Sequence, residues 1–262
     1  MNRVMVLMYH ALYSDVAGLN AIDPADRPYA VSVEDFCSQL DWLGQTGIPI
    51  VDPLSMANAQ PTTPVGVVLT FDDGHESNYR HAYPLLTARR MSAVFFVTSD
   101  FIGTRAGFCS WAQLREMREG GMQVGAHGKT HRFFDDLTRA EAFEEFDQPR
   151  AAIEAGTGMA PQMMSFPGGR YRAGQLAIGR AAGYQLFFSS DVGANRPEAF
   201  RPGGLLRRVA IRQTTSTSHF RAMARAAPLP LARARTVAAV KTLVKSVLGN
   251  RLYHALYERV AG

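Results

Sequence analysis

The sequence predicts an α/β protein of parallel strand–helix units, closed or nearly closed into a barrel, with a helical extension at its carboxyl end. Three observations predict it. Short apolar runs recur at 3–9, 65–71, 93–97, 122–126, 162–166, 184–188 and 205–211; near-continuous apolar runs mark strands covered on both faces. Segments with helix caps separate most of them, and strands alternating with helices at this spacing build parallel units. The polar residues best suited to chemistry follow the strands directly, at the ends where such folds place their sites.

In chain order, Val4-Met5-Val6-Leu7-Met8 is followed by Tyr9-His10. One positive charge precedes this run and no small-residue cleavage site follows before Asp15, so it is expected as a first strand and not a signal peptide. Residues 13–30, with Gly18, Pro24 and Pro28, are expected as a loop. Ser32-Val33-Glu34-Asp35 has the capping-box pattern and opens a helix with Phe36, Leu40 and Leu43 on one face, stopping at Gly47. Ile48-Pro49-Ile50-Val51 reads as a short strand, and a Pro-rich link (Pro61, Pro64) leads to the central strand at 65–71. Residues 76–90 read as helical with a break at Pro84. Ser110-Trp111-Ala112-Gln113 and Thr138-Arg139-Ala140-Glu141 cap helices that run to Glu119 and Ala155, and a further helix is expected at 173–182.

Pro228-Leu229-Pro230 divides a domain of residues 1–227 from a tail of 228–262. The tail carries Val237, Val240, Val244 and Val247 on one helical stripe, with Arg235, Lys241 and Lys245 elsewhere. Such a helix docks on the barrel or on a second subunit, the favoured expectation, or lies on a membrane surface.

The bulk properties narrow the function classes. At 262 residues and 47% apolar the chain has ample material for a core. No apolar run reaches the ~18 residues of a membrane span. Two cysteines, Cys37 and Cys109, make no disulfide framework and no metal-spacing pattern; they are expected as buried structural thiols in a reducing cytoplasm. Charge is divided: residues 201–262 hold 12 basic residues and one acid, whereas residues 1–200 hold 16 basic and 22 acidic residues. That split suggests an anionic partner for the basic part.

The chemistry centres on Leu69-Thr70-Phe71-Asp72-Asp73-Gly74, where a buried strand ends in two adjacent carboxylates. Adjacent acids repel, and a metal ion would compensate them. His127-Gly128-Lys129-Thr130-His131 supplies two imidazoles four residues apart at a second strand end. One aspartate with two histidines makes a three-ligand site with room for water, and the other aspartate is then free to act as a base. Taken singly, Asp72-Asp73-Gly74 reads equally well as a turn and the histidines as surface residues; together, at strand ends, they read as a metal site.

Thr70-Phe71-Asp72-Asp73-Gly74 and His127-Gly128-Lys129-Thr130-His131, in this order, resemble the first two motifs of the polysaccharide deacetylase family, also called the NodB-homology or carbohydrate esterase family 4 group. The resemblance covers about residues 4–215 and is strongest to exopolysaccharide-biosynthesis members that begin with a Leu-Met-Tyr-His strand. It implies a distorted (β/α)7-type barrel, Asp72 as catalytic base, and Asp73, His127 and His131 as ligands of a divalent metal. Zn2+ is the first expectation; Co2+, Ni2+, Fe2+ and Mn2+ also suit the set. Gly128 stands where the family usually has Ser or Thr, which removes one side-chain brace of that loop. In the third motif, Ser165-Phe166-Pro167-Gly168-Gly169-Arg170-Tyr171, Ser165 stands where better-known members carry an arginine that pairs with the base. Arg208 is the first candidate to replace it and Arg170 the second, with an exposed arginine the simpler reading of Arg170. Pro167, Gly168 and Tyr171 are expected at the substrate and oxyanion position, with the Gly168 N–H as a backbone donor. Asp191 matches the first aspartate of the fourth motif or serves as a loop cap. The family's Leu-x-His acid motif is missing, so His10, at the end of the first strand, is the candidate proton donor, with a structural histidine an equal alternative. His75 and His81 are expected as loop and helix-surface residues.

The resulting expectation is a metal-dependent hydrolase that removes N-acetyl groups from an amino sugar in a lipid-linked or polymeric saccharide, in the cytoplasm or at the inner membrane face. Its tail would contact lipid phosphate, and no nucleic-acid partner is expected. A deformylase or other amide hydrolase is the second reading, and a catalytically weakened saccharide-binding module the third.

Overall fold

The computed structural model describes residues 3–58 and 65–227; the expected tail helices lie outside the described residues. Its strands are β1 (Arg3–Tyr9), β2 (Leu12–Tyr13), β3 (Val31–Ser32), β4 (Val65–Phe71), β5 (Val94–Val97), β6 (Gln123–Ala126), β7 (Met163–Ser165), β8 (Leu186–Phe188), β9 (Gly204–Leu206) and β10 (Val209–Ala210). The helices are α1 (Val16–Ala21), α2 (Val33–Thr46), α3 (Pro53–Asn58), α4 (Tyr83–Ala88), α5 (Trp111–Glu119), α6 (Arg139–Thr157), α7 (Gln175–Ala181) and α8 (Thr217–Ala224).

Eight strands form one parallel sheet in the order β10-β1-β4-β5-β6-β7-β8-β9. The two ends of that order belong to one segment: residues 204–206 pair with β8 and residues 209–210 with β1. A single chain segment therefore changes partners midway and closes seven strand positions into a barrel. The expected strand at 205–211 is this segment, split by the change of partner.

Side chains alternate across each strand, and the alternation sorts the core into two groups. Val4 and Val6, Val68, Val94 and Phe96, Met163, Leu186 and Phe188, and Leu206 form one cluster; their parity places them in the barrel lumen. Met5, Leu7, Val67, Leu69, Phe95 and Met164 belong to the other cluster, with Phe36, Leu40 and Leu43 of α2. Continued upward, lumen parity passes through Met8 to His10, through Thr70 to Asp72, and through Met163 to Ser165. It also runs through Gly125 to His127 and through Leu206 to Arg208. Gly125 is small because Phe96 fills the lumen beside it: an added Cβ would lie 2.5 Å from the ring.

The expected helix caps are present. Ser32 accepts from the Asp35 N–H and α2 ends at left-handed Gly47, and Ser110 and Thr138 close reciprocal capping boxes with Gln113 and Glu141. Residues 78–82 form a wider π turn before Pro84, which sits in the first turn of α4. Three expectations are corrected. Residues 48–51 make one isolated bridge, Ile50 to Val67, and no strand, because Pro49 lacks the amide to continue a ladder. Residues 13–30 hold α1 and a 3-10 turn at Arg27–Tyr29, and the small β2–β3 pair ties this segment at both its ends. Cys37 is half-buried and not buried; Cys109 is buried, and burial pushes its thiol up to about 12.

Candidate active site

Asp72 follows β4 with its N–H bonded to the Tyr9 carbonyl at 2.9 Å, so β1 and β4 deliver His10 and Asp72 to the same rim. Arg208 is 1% exposed, and it reaches Asp72 through Nη1 to Oδ1 and Nη2 to Oδ2, both 2.7 Å. Its Nη2 also donates to Ser165 Oγ at 2.7 Å and its Nε to the Ser189 carbonyl at 2.9 Å. Ser165 Oγ donates in turn to Asp72 Oδ2 at 3.3 Å. Burial works against the Asp72 carboxylate, but the Arg208 charge and then that of His127 outweigh it and hold its pKa below the ordinary range. Arg208 thus makes the pair with Asp72 for which it was the first candidate. Arg170 does not: it pairs with Asp135 at 2.8 Å and Asp136 at 3.0 Å and lies over the Phe133 ring.

Asp73 and His131 both have left-handed backbone, φ 76° and φ 66°. Non-glycine residues rarely adopt this conformation, and strain of this kind collects at functional sites. The turn at Asp73 rotates its side chain away from Asp72 and towards the two imidazoles. Asp73 Oδ1 lies 3.4 Å from His127 Nε2 and 3.1 Å from His131 Nε2. Among the described residues it is nonetheless a buried oxygen without a hydrogen bond of acceptable direction. His127 Nδ1 lies 2.9 Å from the Ser165 carbonyl; this contact requires N–H on Nδ1 and leaves the Nε2 lone pair facing Asp73. Burial pushes His127 down to about 4, so it is neutral at neutral pH. Burial also opposes charge on His131, but the adjacent Asp73 carboxylate outweighs it and raises its pKa.

Asp73, His127 and His131 offer ligand atoms that all lie within 4.8 Å of one another. A tetrahedral ion with bonds of about 2.1 Å separates its ligand atoms by about 3.4 Å. The donor set, the unsatisfied carboxylate oxygen and the exposed Nε2 lone pair fit a divalent cation.

The loop between the two histidines is braced from α6. Glu145, 4% exposed, accepts from the Lys129 N–H at 2.6 Å, from the Thr130 N–H at 3.1 Å and from the Thr130 hydroxyl. Gly128 has φ 75°, and a Cβ there would lie 2.8 Å from Glu145 Oε2. The small residue makes room for the carboxylate that does the bracing, so the loop is not short of support.

A cavity of about 630 Å³ opens over these groups, lined by His10, Asp72, Asp73, His127, His131 and Gly168 among others. His10 lies against the Tyr29 ring, 5.0 Å between centroids, with its Nδ1 unpartnered among the described residues. Burial lowers its pKa, with Asp73 and Asp72 opposing. Pro167 is buried behind the wall, and Tyr171 stacks on Phe166 at 4.8 Å without lining the cavity. Asp191 serves as a loop cap: it accepts from the Ser189 hydroxyl, and its carbonyl accepts from the Arg208 N–H at 3.0 Å.

Several site residues carry no signal in the sequence. Asp26, Tyr29, Arg212 and His219 line the cavity because the 13–30 segment and the chain around α8 fold over the rim. His75 is buried, 3.5 Å from Asp73 Oδ2 and stacked on Phe108, which corrects its reading as a loop-surface residue.

A parallel seven-position barrel thus gathers an arginine-clamped carboxylate and an Asp-His-His cluster at its carboxyl rim. The polysaccharide deacetylase family model matches residues 59–187. The Bacillus subtilis (strain 168) protein YxkH, named as a polysaccharide deacetylase, is 26% identical over 224 residues, covering 83% of this chain and 75% of that protein. The poly-β-1,6-N-acetyl-D-glucosamine N-deacetylase of Escherichia coli (strain K12) is 24% identical over 219 residues, 65% of this chain and 32% of that longer protein. The structure of IcaB from Ammonifex degensii superposes with a TM-score of 0.69 at 27% identity, covering 86% of this chain and 96% of that one. The family match spans just under half of the chain, and the related proteins and structures are deacetylases, so the comparisons support a carbohydrate N-deacetylase hydrolase.

Proposed function

We propose that the protein removes N-acetyl groups from an amino sugar in a polymeric or lipid-linked saccharide, with a divalent cation, Zn2+ first, held by Asp73, His127 and His131. The observation that carries this reading is the buried Asp73 Oδ1, without a hydrogen bond and facing two imidazole Nε2 atoms at 3.1 and 3.4 Å. When bound, such an ion lowers the pKa of water and polarises an amide carbonyl. The named substrate of the Escherichia coli relative supports an N-acetylglucosamine polymer.

The protein's own groups divide the proton work. Asp72, held ionised by Arg208, accepts a proton from the water that attacks the amide carbon. Arg208 and Ser165 fix the orientation of its two oxygens, so the carboxylate needs no reorganisation as it takes up the proton. Gly168 lines the cavity, and its N–H is the candidate backbone donor for the carbonyl oxygen. The proton that Asp72 takes from water passes by way of His10 to the departing amine as the C–N bond breaks, which leaves acetate and a free amino sugar. The site of action is the cytoplasm or the inner membrane face, with residues 228–262 as the lipid-phosphate contact. Deletion of those residues with unchanged membrane partition would count against that part.

The decisive test is metal content and acetate release from N-acetylated oligosaccharides, for wild type and His131→Ala together. Near-stoichiometric metal lost with acetate release in the variant is the expected result. Absence of metal from wild type after reconstitution would overturn the catalytic reading. Formyl amides assayed on the same sugar separate a deformylase.

A further inference from the structure

The second large cavity lies at the seam of the barrel, away from the catalytic rim. It measures about 870 Å³, and among the described residues Arg3, Arg196, Arg201 and Arg207 line it against one acid, Glu198. The seam is where residues 204–211 exchange β8 for β1, and Asn195 closes it. Its N–H and carbonyl bond to Val4 at 2.9 and 2.8 Å. Its side-chain amide clamps the Arg207 backbone, accepting from the N–H and donating to the carbonyl, both at 2.8 Å. The Arg207 backbone and the residue before Arg196 are thereby tied together, and both arginines line the one cavity. Arg196, Arg201 and Arg207 are exposed, and among the described residues none has a carboxylate within ion-pair distance.

We propose that this cavity is a binding site for a diphosphate group, either free or as the headgroup of a lipid. Uncompensated guanidinium groups gathered on one polar-lined cavity repel each other, and a multiply charged anion relieves that repulsion. Guanidinium is planar and donates in pairs, which suits phosphate oxygens. The volume exceeds what one phosphate needs and accommodates two with an attached group. β1 runs from Arg3 at this cavity to Tyr9 beside the catalytic rim, about 20 Å at strand rise. The diphosphate site is therefore distinct from the reacting centre, and its occupancy does not depend on a loaded metal site.

The test is calorimetric titration of the full-length protein with pyrophosphate at low ionic strength, where such contacts are least screened. Wild type is expected to bind saturably. The triple variant Arg196→Gln/Arg201→Gln/Arg207→Gln is expected to bind about tenfold or more weakly, with an unchanged unfolding midpoint and unchanged acetate release. The corresponding triple lysine variant, which keeps the charge but not the fork, is expected to recover only part of the affinity. Single Gln variants, each expected to weaken binding about threefold, serve if the triple variant folds poorly. A second arm repeats the titration with a polyprenyl diphosphate in detergent micelles. Tighter binding than pyrophosphate, lost in the triple variant, assigns the site to a lipid headgroup; binding no tighter than pyrophosphate assigns it to a soluble diphosphate. Equal pyrophosphate binding by wild type and triple Gln variant would overturn the proposal, as would no saturable binding by wild type up to about 10 mM.

Discussion

Arg208 holds Asp72 with two parallel 2.7 Å hydrogen bonds across 136 residues of chain, and both side chains are buried. Breaking a buried pair from one side leaves an uncompensated charge and costs about 3–5 kcal/mol. Arg208→Met is therefore expected to lower the urea midpoint strongly. Asp72→Asn/Arg208→Met removes both charges and is expected to be more stable than Arg208→Met alone. Additive losses in the double-mutant cycle would show that the pair is not coupled.

Ser165 Oγ lies 2.7 Å from the guanidinium of Arg208, so position 165 adjoins the space that the guanidinium fills. Ser165→Arg in an Arg208→Ala background is expected to restore part of the acetate release lost by Arg208→Ala. No recovery in a folded, metal-loaded double variant would mean that the two approaches to Asp72 are not interchangeable.

Metal uptake is expected to weaken as pH falls, through His131 and not His127. The His127 pKa of about 4 leaves that ring ready at neutral pH, whereas the pKa of His131 is raised above 6.5. Below the raised value a proton competes with the ion, so apparent affinity drops about tenfold per pH unit. Calorimetry in buffers of different ionisation enthalpy should detect close to one proton released per metal near pH 6. A pH-independent affinity from 8 to 6 would contradict it.

Glu145 accepts from two backbone N–H groups and a hydroxyl of the loop between the histidines. Glu145→Gln cannot satisfy all three in the same way. It is expected to weaken metal binding by about 10–100-fold, the usual effect of disturbing a ligand's support. Competition against a chromophoric chelator measures it, and an unchanged affinity would leave Glu145 with a packing role.

His10→Asn is expected to lower kcat by about 10²–10⁴, the range for loss of a positioned acid or base, with metal content unchanged. Full activity in this variant would return His10 to a structural role against Tyr29.

Much of the fold is local in origin and was therefore legible. Ser32, Ser110 and Thr138 cap helices through groups three residues away, and the apolar runs at 65–71 and 94–97 need only to be covered to become strands. The Asp72-Asp73 pair and the two histidines could be read because each sits at the end of such a run. The small elements between 13 and 30 and helix α8 were not legible, since short segments of mixed polarity take their form from what they pack against. His75 was misread for the same reason: only Phe108, 33 residues on, makes its position an interior one.

By itself the sequence determined the strand–helix rhythm and the caps, and it marked Asp72, Asp73, His127 and His131 as residues that would meet and Arg208 as a candidate partner of Asp72. Tertiary structure decided which residues meet. Strand parity and barrel closure bring Arg208 to Asp72, and α6 carries Glu145 to the Gly128 loop. The seam at Asn195 brings Arg196, Arg201 and Arg207 to one cavity, with Glu198 as the acid beside them among the described residues. The division follows from range: propensity and capping act over a few residues, whereas the pairing of charges depends on how distant strands close around one lumen.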